Sequence, residues 1–487
     1  MVTPRLDAAS EVPLYRQVFD YLRGSIESGY FAPGSRLPAM RDLAHSLNLN
    51  RSTIAAAYEL LEAEGLVRTQ VGKGSFVIGP SPGDGRLDWN NLLGPLDGDT
   101  PPAAVGPDTI SFASARPSEQ LFPMAELQET VEEVVHGKGA PAILQIGPPS
   151  GYPPLRYYLI EEARQQGLMG PDDDLLVTSG CQQGLDLLDR VLVRGTQHSV
   201  ALEDPVYPGV RNLFQRSGAR VVGIPVGDEG VLIEELERVL EQERPRLLVL
   251  TPNFQNPTGA TIPLEQRKAV ADVVRRLGVV LVENDIYGSL RYRGEDVTPI
   301  KNLDEWGHVV RLHSFSKMAF PGLRVGWVLG PAPLIARMAE AKQLCDLHTD
   351  QLAQAVLLRF VETGRLQDHL KRIREAGRAR LNAVLNACQE FLPEGTEFTR
   401  PEGGMNLWVT LPEPMDAEEL LPRAQMRRVT YLPGKYFWIS RRDRGTLRLS
   451  FAGLTPEEIG QGLRLLGDAF GVAAAQPAGL RMEPAIL

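Results

Sequence analysis

The sequence predicts an α/β chain in two parts: a small helical module closed by a β-hairpin, then a large body of alternating strands and helices. Three observations predict it. Apolar residues recur at helical spacing as far as Leu61 and then flank a short hairpin. Residues 80–108 are rich in Gly, Pro and Asp, lack periodicity, and read as a linker of about 30 residues. From Thr109 onward, apolar runs alternate with helical stretches, as in βα units. The expected division is therefore a module over 1–79, a linker over 80–108, a body over 109–471 and a flexible tail over 472–487.

Composition bounds what the chain can be. Its 487 residues suffice for roughly two to three domains. With 43% hydrophobic and 23% charged residues, wholesale disorder is excluded. No apolar run approaches the roughly 18 residues of a membrane helix. The start, MVTPRLD, has no apolar core for a secretory signal. A cytoplasmic protein with no membrane partner is expected. Cys181, Cys345 and Cys388 are far apart and in no C-x-x-C spacing, so neither a disulfide framework nor a metal site is expected. The net charge is −10, yet residues 1–78 carry eight cationic and eight acidic side chains. Any nucleic-acid binding must rest on locally placed cations rather than on bulk charge.

In the module, Leu14, Val18, Leu22 and Ile26 mark one face of a helix over 14–28, ended by Gly29. Residues 39–47 form a short second helix carrying Met40, Leu43 and Leu47. Asn50 is a suitable N-cap for a third, from Arg51 to about Glu64, with Ile54, Tyr58 and Leu61 inward. LVRTQ and SFVI then flank a basic tip, Val71-Gly72-Lys73-Gly74. Three helices with a tight turn and a β-wing describe a winged helix-turn-helix. Arg51 opens the third helix, where the macrodipole slightly disfavours a cation, so a functional reading is invited. The first turn of a recognition helix meets base edges and phosphates. Arg36, Arg41, Arg68 and Lys73 can share that duplex, with Glu59, Glu62 and Glu64 at the far end of the helix. The bland alternative is a helical cap with an exposed arginine face.

The run RLPAMRDLAHSLNLNRSTIAAAYELLEAEGLVRTQVGKGSFV resembles the GntR-type DNA-binding domain along its whole length. The resemblance puts Arg41, Arg51, Thr53 and Gly72-Lys73-Gly74 at DNA-contact positions. With Arg36 and Ser52, these are the candidates for contact with double-stranded operator DNA.

In the body, RLLVLTP (246–252), VVLVEN (279–284) and VVRLHS (309–314) read as buried parallel strands, whose C-terminal ends carry chemistry. After LLVTS, Gly180-Cys181-Gln182 open a helix, an arrangement suited to an anion. Tyr207 lies between two prolines and either stacks on a planar ring or is an ordinary loop tyrosine. Asn256 either caps its own turn or donates outward. Asp285 follows an apolar strand, so it is expected to be buried with a cationic partner. Tyr287 would share its face if the strand continues, and Glu283 is read as outward. Lys317, near Ser314 and Ser316 and ahead of Arg324, suits Schiff-base chemistry, or is a snorkelling lysine. Arg324 with Ser314 can grip a phosphate. Arg448, alone in the apolar strand TLRLSF, suits a carboxylate ligand or an internal salt bridge alike.

In order and spacing, SGCQQG, DPVYPG, NPTG, ENDIY, SFSK…R and LRLSF resemble a fold-type I PLP-dependent aminotransferase from about Thr109 to Gly471. The resemblance implies a large mixed-sheet subdomain, a smaller α+β subdomain, and pyridoxal 5′-phosphate (PLP) as cofactor. It makes Lys317 the Schiff-base lysine and Asp285 the partner of the pyridine nitrogen. Asn256 and Tyr287 would hold the 3′-oxygen, and Tyr207 would stack on the ring. Gly180, Cys181, Gln182, Ser314, Ser316 and Arg324 would form the phosphate site, and Arg448 would take an amino acid's carboxylate. Together the two parts resemble MocR-type transcription regulators. That implies a homodimer whose body senses PLP and a small amino acid or amine, with the reader of one subunit over the body of its partner. The alternative is a working transaminase that carries a DNA reader. Two positions depart from the pattern. Ile146 stands where many members have a tyrosine that reaches the neighbour's phosphate. Asn256 is the residue of active aminotransferases, where many regulators have an aromatic.

Overall fold

The chain folds into two compact units, Met1–Asp97 and Gly98–Leu487. The computed structural model describes residues 6, 10, 12–27, 30–70, 74–78, 89, 106, 108–195, 197–440 and 443–474. Leu92 and Leu93 of the expected linker lie outside them, and Trp89 is exposed.

In the first unit, α1 (Leu14–Glu27), α2 (Met40–Leu47) and α3 (Arg51–Ala63) surround one core. Val18, Phe19, Leu22, Leu43, Ile54, Tyr58 and Leu61 are buried there. Tyr58 ties α3 to the entry of α2 by donating from its hydroxyl to the Pro38 carbonyl (2.7 Å). Asn48 turns the chain between α2 and α3 in the left-handed region (φ 52°). Asn50 occupies the N-cap of α3 as expected, but its side chain makes no capping bond. Its backbone carbonyl takes the Thr53 N–H instead (3.1 Å). Gly65, at φ +70°, ends the helix turn. The wing is the antiparallel pair β1 (Val67–Gln70) and β2 (Gly74–Val77), in register Val67↔Val77. Lys73, at its tip, lies outside the described residues.

In the second unit, eight strands form a mixed sheet. They are β4 (Asp173–Thr178), β5 (Ser199–Asp204), β6 (Arg220–Gly227), β7 (Gly230–Val231), β8 (Leu247–Leu250), β9 (Val280–Asn284), β10 (Val309–Ser314) and β11 (Gly326–Pro331). Their order is β4-β11-β10-β9-β8-β5-β6-β7. The central strands are parallel; β11 runs antiparallel to both β4 and β10. The run LLVL of β8 is buried on both faces, which is why it shows no polar alternation. Leu247 and Val249 join one core with Val282 and Leu312, while Leu248 and Leu250 join another with Leu281 and Val309.

A smaller antiparallel sheet, β12 (Glu397–Phe398), β13 (Asn406–Thr410), β16 (Thr446–Ser450) and β15 (Leu432–Pro433), packs in a third core with the helices Arg365–Phe391 and Pro456–Ala474. A further short pair joins β3 (Ile110–Ser111) to β14 (Val429–Thr430). The last helix runs to Ala474, past the start expected for the tail, and residues 475–487 lie outside the described ones. Among the described residues no helix is long and apolar enough to cross a membrane.

Candidate functional site

Strands that end together bring their next residues together. Beyond the C-terminal ends of β5, β8 and β9 lies a cavity of about 630 Å³, lined by Tyr207, Asn256, Asn284, Tyr287, Lys317 and Arg448. Lys317 sits in the turn after β10 and donates from Nζ to the Ala115 carbonyl (2.8 Å). Its Nζ is 6.0 Å from the centre of the Tyr287 ring. Burial, helped by the Arg448 charge, lowers its pKa to about 8. Tyr287 is buried, which raises its phenol to about 12, and its oxygen receives Asn256 Nδ2 at 3.5 Å. Asn256 in turn accepts from Arg448 Nη1 (3.1 Å).

Arg448 projects from β16 and is 3% exposed. Nη2 donates to the Ala113 carbonyl, and the guanidinium lies 5.1 Å over the Phe437 ring. Its Nε is buried with no partner. No described carboxylate pairs with it, and burial lowers its pKa to about 10. Tyr207 opens the next helix and is half exposed at the rim.

The turn expected to bind phosphate lies beside this cavity. Gly180 (φ +87°) opens the helix Cys181–Leu188. A Cβ there would stand 2.5 Å from Arg324 Nη2, so only glycine permits the approach. Arg324 donates to the Ser179 carbonyl and to Ser316 Oγ, both at 3.3 Å. Ser314, expected to grip phosphate, is 2% exposed and donates to the Val325 carbonyl (3.0 Å); Ser316 meets the arginine instead. Cys181 directs its thiol at the His313 carbonyl (3.4 Å), and burial pushes it up to about 12, so it packs rather than reacts. Gln182 is exposed and reaches the Gly209 carbonyl (3.4 Å).

Asp285 requires a correction. It is buried and has its cationic partner, as expected, but it does not line the Lys317 cavity. It lines a second cavity of about 400 Å³, together with Asn253, Arg311, His313 and Glu162. Arg311 Nη2 donates to Oδ2 (2.6 Å) and Asn253 Nδ2 to Oδ1 (2.8 Å). Burial pushes its carboxyl up, but Arg311 and its other partners more than offset this and hold it at about 2. The reason is alternation along β9: Glu283 and Asp285 share one side, and Asn284 takes the other. Glu283, expected outward, is therefore fully buried, accepting the Ile300 (2.8 Å) and Lys301 (3.0 Å) N–H groups.

Sequence reasoning missed Asn284, Asn253 and Arg311, and also Glu203. Glu203 lines the Lys317 cavity, and burial raises it to about 8. Its Oε2 accepts from the Thr251 N–H (3.1 Å), and its Oε1 has no partner. Burial within the apolar strand VALED was the available signal for it.

In the first unit, Arg51 and Ser52 start α3, and both are exposed; Thr53 is half-buried. Arg41, in the first turn of α2, is exposed. Arg36 is exposed and packs over Gly74, where a Cβ would meet its Nε at 2.6 Å. None of these arginines forms an ion pair with a described residue. Arg23 does: it pairs with Glu27 (2.8 Å) and with Glu64 at the far end of α3 (3.2 Å).

The two units define a DNA-binding module joined to an aminotransferase-like body. Residues 14–77 match the family described as bacterial regulatory proteins, gntR family, and residues 121–466 match aminotransferase class I and II. The aromatic-amino-acid aminotransferase 1 of Thermococcus litoralis is 36% identical over 74% of this chain and 88% of its own. The probable rhizopine catabolism regulatory protein MocR of Rhizobium meliloti is 28% identical over 96% of this chain and 95% of its own. The kynurenine aminotransferase of Pyrococcus horikoshii superposes with a TM-score of 0.73 at 35% identity, covering 76% of this chain and 92% of that one. The chain belongs to the MocR-type regulators, in which a GntR module is fused to a class I and II aminotransferase domain.

Proposed function

We propose that the body binds pyridoxal phosphate and an amino acid or amine, and that this occupancy sets the affinity of the GntR module for operator DNA. The observation that carries the reading is one cavity holding a buried lysine, its pKa lowered to about 8, and a buried arginine with a free donor. The residues fit the cofactor. Lys317 offers a neutral amine at mild pH, Gly180 leaves room beside Arg324, and Arg448 Nε lacks an acceptor. Bound there, the cofactor supplies an aldehyde for a Schiff base and a ring that withdraws electrons.

The remaining roles belong to this chain's own side chains. Lys317 attaches the cofactor, Tyr287 and Asn256 hold its 3′-oxygen, and Tyr207 covers the ring from the rim. Ser316, Arg324 and the backbone at Gly180–Gln182 hold the phosphate. Arg448 takes the effector's carboxylate. Arg36, Arg41, Arg51, Ser52, Thr53 and Lys73 contact the operator, and a homodimer presents two such modules to two half-sites. Acting on operator DNA, the protein works in the cytoplasm. The domain limits we assign are 1–79 for the reader and 109–471 for the body.

The test is an absorbance spectrum of the purified protein with and without amino acids, paired with operator titrations under the same conditions. A cofactor band and an amino-acid-dependent change in operator affinity are expected. Steady amino-acid turnover with no change in operator affinity would replace this reading with that of a working aminotransferase.

A further inference from the structure

We infer that the pyridine nitrogen of the cofactor meets the Asn284 amide and no carboxylate, so that the body holds its amino-acid ligand without strongly activating it. The inference deepens the reading above and rests on the Lys317 cavity taking pyridoxal phosphate. Asn284 is the last residue of β9, and its register partner in β10 is Leu312. Val282, two residues earlier, shares a core with Leu312, while Glu283 is in register with Arg311 on the other side. Asn284 lines the Lys317 cavity and is 6% exposed, and its Oδ1 is buried with no hydrogen-bond partner. A buried amide oxygen left unpaired is costly, and a half-turn of the amide puts its NH2 group in the same place, so this edge of the side chain can supply the donor that a neutral ring nitrogen needs.

The chemistry of the ring decides which ligand atom arrives there. The ring nitrogen is para to the carbon bearing the aldehyde, so it lies at the edge farthest from Lys317. The 3′-oxygen corner falls to Tyr287 and Asn256, and the phosphate corner to Gly180 and Arg324. Asn284, at the mouth of the strand beside β10, is left for the nitrogen. Asp285 cannot serve. Both its oxygens are bonded, to Asn253 and Arg311, and it lines the other cavity. Glu203 is the competing acid, but it lies one residue before the end of β5, two strands removed from β9, and its Oε2 is held by the Thr251 N–H.

A carboxylate at the nitrogen would stabilise a proton on it and make the ring a strong electron sink. An amide carries no negative charge to hold that proton. It donates an N–H bond to the neutral lone pair, and the nitrogen stays uncharged. The neutral ring withdraws electrons weakly, so the α-hydrogen of a bound amino acid is released slowly. A sensor benefits, because its ligand remains what it was on arrival.

The experiment uses the full chain reconstituted with pyridoxal phosphate isotopically labelled at the ring nitrogen and followed by nitrogen NMR. The wild type should show the resonance of a neutral pyridine. Asn284→Asp should move it to that of a pyridinium and speed α-hydrogen exchange of added alanine in deuterated water by roughly 10-fold or more. Glu203→Gln should leave the resonance where it was. A pyridinium resonance in the wild type overturns the inference, and this arm stands even if Asn284→Asp fails to fold. A shift caused by Glu203→Gln overturns it too. A chain that retains no label overturns the cofactor reading itself.

Discussion

On one side of β9, Arg311 donates to Asp285 at 2.6 Å and Asn253 holds the other carboxylate oxygen. On the other side, Lys317 and Arg448 share a cavity, and no described carboxylate is bonded to either. Two buried cationic clusters thus lie about β9, one paired with a carboxylate and the other, to which β16 of the smaller sheet contributes Arg448, without one. Where a buried cation is paired with a carboxylate, as Arg311 is although its Nε makes no hydrogen bond, removing one partner strands the other, and the pair is structural. Where buried donors face open space, the missing partner is a ligand. The paired side, although it too borders a cavity, fits a structural role at the end of β9, and the unpaired side fits the ligand site proposed above.

The largest expected effect falls on the unpaired side. Lys317→Ala should abolish the cofactor absorbance band and leave nothing for borohydride to fix to the chain. An equally coloured variant reducible at another lysine would reassign the attachment. Next comes the paired side. Arg311→Met leaves Asp285 as a buried charge without its cation, and should lower stability by about 3–5 kcal/mol in denaturant titrations. Arg448→Met has no carboxylate to strand. It should keep near-native stability yet lose the response of operator affinity to the effector. A 100-fold response corresponds to about 2.7 kcal/mol of coupling. If both variants unfold at the same denaturant concentration, the distinction between the two sides collapses.

The comparison extends to the exposed cations of the first unit. Arg51→Ala should weaken operator binding by about 1–3 kcal/mol, or roughly 5- to 150-fold, with an unchanged melting curve. Unaltered binding in a shift assay would remove Arg51 from the interface. The smallest effects are in pH. Asp285 is held at about 2 against an ordinary 3.8, so its stabilisation is complete above pH ~4 and fades as pH falls toward 2. Arg311→Met should flatten that acid limb. Lys317 is lowered from 10.5 to about 8, so capture of free pyridoxal phosphate should rise with pH around a midpoint near 8. A midpoint near 10.5 would mean that the amine is not desolvated.

Much of this was legible in the residues. The apolar runs at 246–252, 279–284 and 309–314 became β8, β9 and β10, because central strands buried on both faces need no polar alternation. Tyr207, Asn256, Tyr287 and Lys317 converge on one cavity, because residues that follow parallel strands emerge on one edge, and Arg448 reaches it from β16 of the smaller antiparallel sheet. Asp285 was misplaced by one position. A single-residue step along a strand exchanges the faces, and ENDIY does not say which residue ends the strand. The partners of Asp285 were invisible for a different reason. Asn253 lies 32 residues before it and Arg311 lies 26 after it, and only strand pairing makes them neighbours.

The antiparallel strand β11 has a consequence for synthesis. It is wedged between β4 and β10, and it fixes Arg324 against Ser179 across 145 residues of chain. The phosphate turn at Gly180 is thus translated long before the arginine that completes it. A product cut short before Pro331 contains all of α1, α2, α3 and the wing, and no finished cofactor cup. On the function proposed above, such a fragment would keep the operator reader and lack the site through which an amino acid acts on it. Nonsense mutations in the second half of the gene should then behave as dominant, effector-blind alleles rather than as simple losses, wherever the shortened chain survives proteolysis.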